Sequence, residues 1–84
     1  MKFYYITFRS VTFAQRGEKL LMREHIRCAL QRTPRWMEEQ GCGYALRVWT
    51  TDVTTAVGLL RENNIPLRRV YIKGTDGQLE ELHL

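Results

Sequence analysis

Two rhythms of apolar and polar positions divide the chain. Lys2–Phe8 is aromatic and β-rich and predicts a first strand. Ser10 and Thr12 then offer helix caps. From Phe13, the positions Phe13, Gly17, Leu20, Leu21 and Glu24 recur at helical spacing, with Ala14 and Met22 widening the stripe. A helix over about residues 12–24 follows. In Ile26–Arg32, Ile26, Cys28 and Leu30 alternate with Arg27, Ala29 and Gln31, which predicts a second strand stopped by Thr33-Pro34. Arg35–Gly43 reads as irregular, with one helical turn at Trp36–Gln40.

Tyr44–Thr50 alternates again and predicts a third strand. Asp52 suits a cap or first-turn acid of a second helix over residues 52–63. Val53, Ala56, Val57 and Leu60 would form its buried stripe, and Asn63-Asn64 its stop. Arg68–Lys73 predicts the last strand, Gly74–Gly77 a turn, and Gln78–Leu84 a short tail. The order is strand, helix, strand, strand, helix, strand. The segments Leu20–Ile26 (LLMREHI) and Leu59–Ile65 (LLRENNI) echo each other at the same point of each half. Two βαβ units in tandem point to an α+β fold, a ferredoxin-like βαββαβ sandwich. It would have a four-stranded antiparallel sheet with two helices on one face. The expected core includes Ile6, Leu20, Leu21, Ile26, Val48, Val57, Leu60 and Val70.

Eighty-four residues make a single domain, 1–84, with an ordered core over about 2–74 and a tail over 75–84. The longest uncharged apolar stretch near the start, Phe3–Phe8, is far short of a bilayer span, and no signal-peptide pattern is present. The cytoplasm is therefore the expected location. Net charge is +4, with ten Arg and three Lys, but no run of five like charges occurs. Arginine excess suits anionic partners through its planar fork, while the interleaving with hydrophobes suits an ordinary solvated surface.

Cys28 and Cys42 make neither a disulfide framework nor a CxxC pair, and His25 and His83 are scattered, so no metal site and no cofactor are expected. Cys28 falls at an inward strand position and reads as a small core hydrophobe. Cys42 lies between Gly41 and Gly43 at the mouth of a strand. Two readings stay open there. One is a tight turn around a small residue. The other is a reactive thiolate, favoured by backbone N–H groups and by the charges of Arg35 and Arg47.

On these residues the chain resembles a family. An aromatic strand ends in Thr7-Phe8, Ala14 and Glu18 follow in the helix, and Pro34-Arg35 precedes Cys42-Gly43. This pattern is similar to the selenium/sulfur (Se/S) carrier protein-like domains, small bacterial and archaeal domains of unknown function. The resemblance implies that Cys42 is the carrier thiol. It would hold a persulfide or selenosulfide and exchange it with a sulfur-relay donor or acceptor protein. Trp36 and Met37 would cover the thiol or touch the partner. A carrier or accessory domain is thus expected rather than a classical enzyme, for which no Ser-His-Asp set, carboxylate pair or phosphate loop is evident.

Two rival readings belong to other classes. A non-catalytic interaction domain, or a homodimer, would use the open sheet face bearing Tyr71 and Arg69, or a sheet edge. Single-stranded RNA binding would use Tyr4, Tyr5, Trp49 and Tyr71 with Arg47, Arg69 and Lys73. The aromatic ribonucleoprotein signature is absent, so nucleic acid is not the expected partner. A membrane partner is not expected either.

Overall fold

The computed structural model describes residues 3–33, 43–49, 53–73 and 79–82. The elements run β1 (Phe3–Thr7), α1 (Val11–Arg23), β2 (Cys28–Arg32), β3 (Tyr44–Trp49), α2 (Val53–Glu62), β4 (Val70–Lys73) and β5 (Leu79–Leu82). All strand pairs are antiparallel, and the sheet order is β2-β3-β1-β4-β5. The fold is thus α+β with two helices and one antiparallel sheet. The sheet has five strands rather than four. The fifth arises where a tail was expected: Leu79–Leu82 pairs along β4, with Val70 opposite Leu82 and Tyr71 opposite Glu81. Leu82 also packs against the core, which gives this short segment an apolar reason to stay on the sheet.

Register sorts the side chains. Leu30, Leu46, Ile6, Val70 and Leu82 form one cross-strand row, and Cys28, Val48, Tyr4 and Ile72 another on the same face. These rows meet Ala14, Leu20 and Leu21 of α1 and Val53, Ala56, Val57 and Leu60 of α2 in one core. Every residue expected in the core is buried, and Phe8, Leu46 and Ile65 join them. A Cβ on Gly17 would stand 3.1 Å from Leu60, 3.2 Å from Leu46 and 3.3 Å from Phe8. Glycine there lets α1 approach both α2 and β3. Met22, counted with the apolar stripe, is instead 60% exposed at the end of α1.

The two helices are built alike at their C-terminal ends. Ser10 caps α1, its hydroxyl accepting the Phe13 N–H at 3.2 Å. At the other end His25 has φ 63°, and Ile26 N–H donates to Leu21 O at 2.8 Å. In the second half Asn64 has φ 58°, and Ile65 N–H donates to Leu60 O at 2.9 Å. Each is a Schellman ending with its following Ile buried. The Leu20–Ile26 and Leu59–Ile65 echo is therefore a repeated stop signal. After the second stop, Thr7 clamps the approach to β4. Arg68 N–H donates to Thr7 O at 2.7 Å, Thr7 N–H to Arg69 O at 2.9 Å, and Arg69 N–H to the Thr7 hydroxyl at 3.1 Å. Strand β4 accordingly starts at Val70 rather than Arg68.

Candidate functional site

Strands β2 and β3 form a hairpin whose base carries the candidate site. Arg32 lies opposite Tyr44, and Thr33 N–H donates to Gly43 O at 3.0 Å. Gly43 has φ 82°, a conformation that strains any L side chain, so glycine is required at this turn into β3. Cys42 is covalently next to it. Cys42, Gly41 and Arg35 lie outside the described residues, as do the Trp36–Gln40 turn and the Asp52 cap.

Sequence reading passed over two residues at the hairpin base. Thr33 is 8% exposed, and its hydroxyl has no hydrogen-bond partner among the described residues. A buried hydroxyl left in that state costs about 1–3 kcal/mol. The Arg32 guanidinium lies over the Tyr44 ring, 5.5 Å from its centroid, on an exposed residue. Only the cross-strand register reveals these neighbours; no local motif marks them.

Arg47 lies further along β3. It sits four residues beyond Gly43, about 13 Å of extended chain. It lies on the sheet face away from the helices, opposite Ala29 and Tyr5. Its guanidinium covers the Phe3 ring at 4.6 Å, and Phe3 in turn packs on Trp49 at 4.6 Å. The face away from the helices therefore carries an aromatic and cationic cluster at the opposite end of β3 from Gly43. Tyr71 is nearly buried on that face, while Arg69 approaches Glu81 at 3.7 Å, so Tyr71 offers little surface to a partner. Tyr4 faces the helices and packs on the core.

Cys28 is half-buried against the core, as its inward strand position predicts. Its Sγ lies 3.8 Å from Glu18 O. Burial, and then the Glu18 carboxylate, push its thiol up to about 11. It is protonated at neutral pH and a poor nucleophile. Among the described residues no cluster of His, Cys, Asp and Glu could hold a metal ion, and no helix is long and apolar enough to cross a membrane.

The family model described as "Putative Se/S carrier protein-like" matches residues 3–72. No curated protein and no solved structure matches the chain. Most features behind the resemblance have structural roles. Thr7 clamps β4, Phe8 and Ala14 fill the core, and Glu18 binds the β2 edge, its carboxylate accepting Leu30 N–H at 3.3 Å. Gly43 turns the chain into β3 at positive φ, while Pro34, Arg35 and Cys42 lie outside the described residues.

Proposed function

Since this chain belongs to the Se/S carrier protein-like family, we propose that it carries sulfur or selenium on Cys42 and hands it to a partner. The contrast between the two cysteines carries this reading. Cys28 is held protonated against the core. Cys42 directly precedes in the chain a left-handed glycine at the start of β3, a backbone conformation that can present N–H groups to an anion. The loading step is a displacement. The Cys42 thiolate attacks the terminal sulfur of a donor persulfide, and the new S–S bond forms as the donor's S–S bond breaks. That bond's electron pair leaves on the donor thiolate, with no net oxidation. Unloading is the same displacement by an acceptor thiolate, which returns Cys42 as thiolate. A terminal selenium would move in the same way.

Support for the thiolate comes in this reading from Arg35, Arg32, the N–H groups of Gly41 and Gly43, and the Thr33 hydroxyl. Arg47 stays with the Phe3 cluster. The sheet order, with both helices on one face, supports a ferredoxin-like arrangement extended by β5. Donor and acceptor would be sulfur-relay proteins of the cytoplasm. Self-association would use the outer edge of β5, which among the described residues pairs on one side only, and sedimentation at micromolar concentration tests it.

The deciding experiment is incubation with a persulfide donor, followed by intact and peptide mass. One added sulfur on Cys42, retained in Cys28→Ser and lost in Cys42→Ser, is the expected result. An adduct on Cys28, or none, overturns the carrier reading.

A further inference from the structure

We propose that the groove between the α1–β2 turn and the far end of the β2–β3 pair binds a purine nucleoside monophosphate. The groove is open to solvent, offers about 480 Å3 and is lined by Phe3, Met22, His25, Arg27, Arg47 and Trp49 around the small side chain of Ala29. That volume suits a small organic ligand. The inference does not depend on Cys42, which precedes Gly43 in the chain, while the groove lies at the far end of β3.

Charge gives the first argument. Among the described residues the ionisable groups on its walls are two guanidiniums, one imidazole and the Cys28 thiol, with no carboxylate. Neither Arg27 nor Arg47 is ion-paired among the described residues. Arg47 is half-buried on the Phe3 ring, so its charge is partly desolvated, with no acid among the described residues paired to it. An arginine in that state favours a phosphate, which its fork can bind through two N–H groups. Ala29 stands directly opposite Arg47 and leaves the space beside it open.

Shape gives the second. Trp49 and Phe3 pack at 43° to each other and form an aromatic wall, and exposed Met22 faces the groove from the end of α1. A planar base fits such a wall by stacking. An extended peptide fits less well. The N–H of Leu30 on the outer edge of β2 already donates to Glu18, which blocks strand addition there. A run of single-stranded nucleic acid would need a platform across the sheet. Tyr4 faces the helices and Tyr71 is nearly buried, which leaves half-buried Tyr5 beside the Phe3–Trp49 pair and, among the described residues, no row of exposed rings across the sheet.

The test is a nuclear magnetic resonance titration of the full chain with AMP and with GMP. The arms use adenosine, inorganic phosphate and a short single-stranded RNA. Expected are saturable shifts of Trp49, Arg27, Ala29 and Arg47, with adenosine and phosphate each about tenfold weaker than AMP. Arg27→Ala, a change at an exposed side chain, and Arg47→Ala should each weaken AMP binding about tenfold, while Cys42→Ser leaves it unchanged. Any of four results overturns the proposal: no saturable shift, phosphate binding as tightly as AMP, binding of the RNA alone, or unchanged AMP affinity in Arg27→Ala.

Discussion

The carboxylate of Glu18 accepts the main-chain N–H of Leu30 at 3.3 Å, so a helix side chain closes part of the outer edge of β2. An open edge invites pairing with another chain, and this contact removes one of its donors. Glu18→Ala should cost about 1 kcal/mol by orphaning that N–H, whereas Glu18→Gln keeps an oxygen acceptor and should cost less. Urea unfolding of the two variants checks the order. In Glu18→Gln the Cys28 thiol should titrate lower than in wild type but still above its ordinary value, because burial is the larger cause of its shift.

The raised Cys28 thiol has a consequence for stability at alkaline pH. The unfolded chain ionises near 9 and the folded chain near 11. Between those values the unfolded state sheds a proton that the folded state keeps, so the contribution of Cys28 to stability falls as pH rises through the window. Below about 9 the group contributes no slope. The difference in unfolding free energy between wild type and Cys28→Ala should therefore be flat at neutral pH and shift against wild type above it. Urea midpoints at a series of pH values measure this.

The same physics separates what the sequence shows from what it hides. Both helices and the first three strands follow from local periodicity, because each has one face toward a single core. The stops at His25 and Asn64 are legible as a repeat, since a left-handed residue followed by a buried Ile needs only local sequence. Strand β5 is not legible. Leu79-Glu80-Glu81-Leu82 has little alternation of its own and is a strand because β4 offers it a ladder. The site divides in the same way. Gly43 is readable from its need for positive φ. Thr33 and Arg32 gain their roles from cross-strand neighbours, and Arg47 is assigned by register to the far end of β3 from Gly43.

Gly17 and Gly58 make a matched pair of helix glycines. Alanine favours a helix interior by about 1 kcal/mol in both. At Gly58 a Cβ meets nothing within 4 Å, so Gly58→Ala should stabilise the domain by about 0.5–1 kcal/mol. At Gly17 it meets Leu60, Leu46 and Phe8, all fully buried and unable to withdraw. Overpacking of this kind costs about 1–3 kcal/mol, and crowding from three sides should outweigh propensity. Gly17→Ala should lose stability on balance. Thermal or urea unfolding of the two variants should move in opposite directions.

Thr33 offers a test that separates packing from chemistry at the hairpin base. Its N–H holds Gly43 O, and that bond survives any side-chain change. Its buried hydroxyl has no partner among the described residues, so Thr33→Val keeps the shape and removes a group that costs folding energy. The variant should be as stable as wild type or more stable by up to about 1 kcal/mol. Where the hydroxyl serves as a donor to sulfur on Cys42, the same variant should alkylate more slowly at neutral pH and load less persulfide. Thr33→Ser, which keeps the donor, should retain both rates. Stability and reactivity then move independently, and only a functional hydroxyl yields a sound fold with a slow thiol. Alkylation rate against pH, with peptide mass to assign the cysteine, is the measurement. A Thr33→Val protein with unchanged Cys42 kinetics would assign the hydroxyl to packing alone.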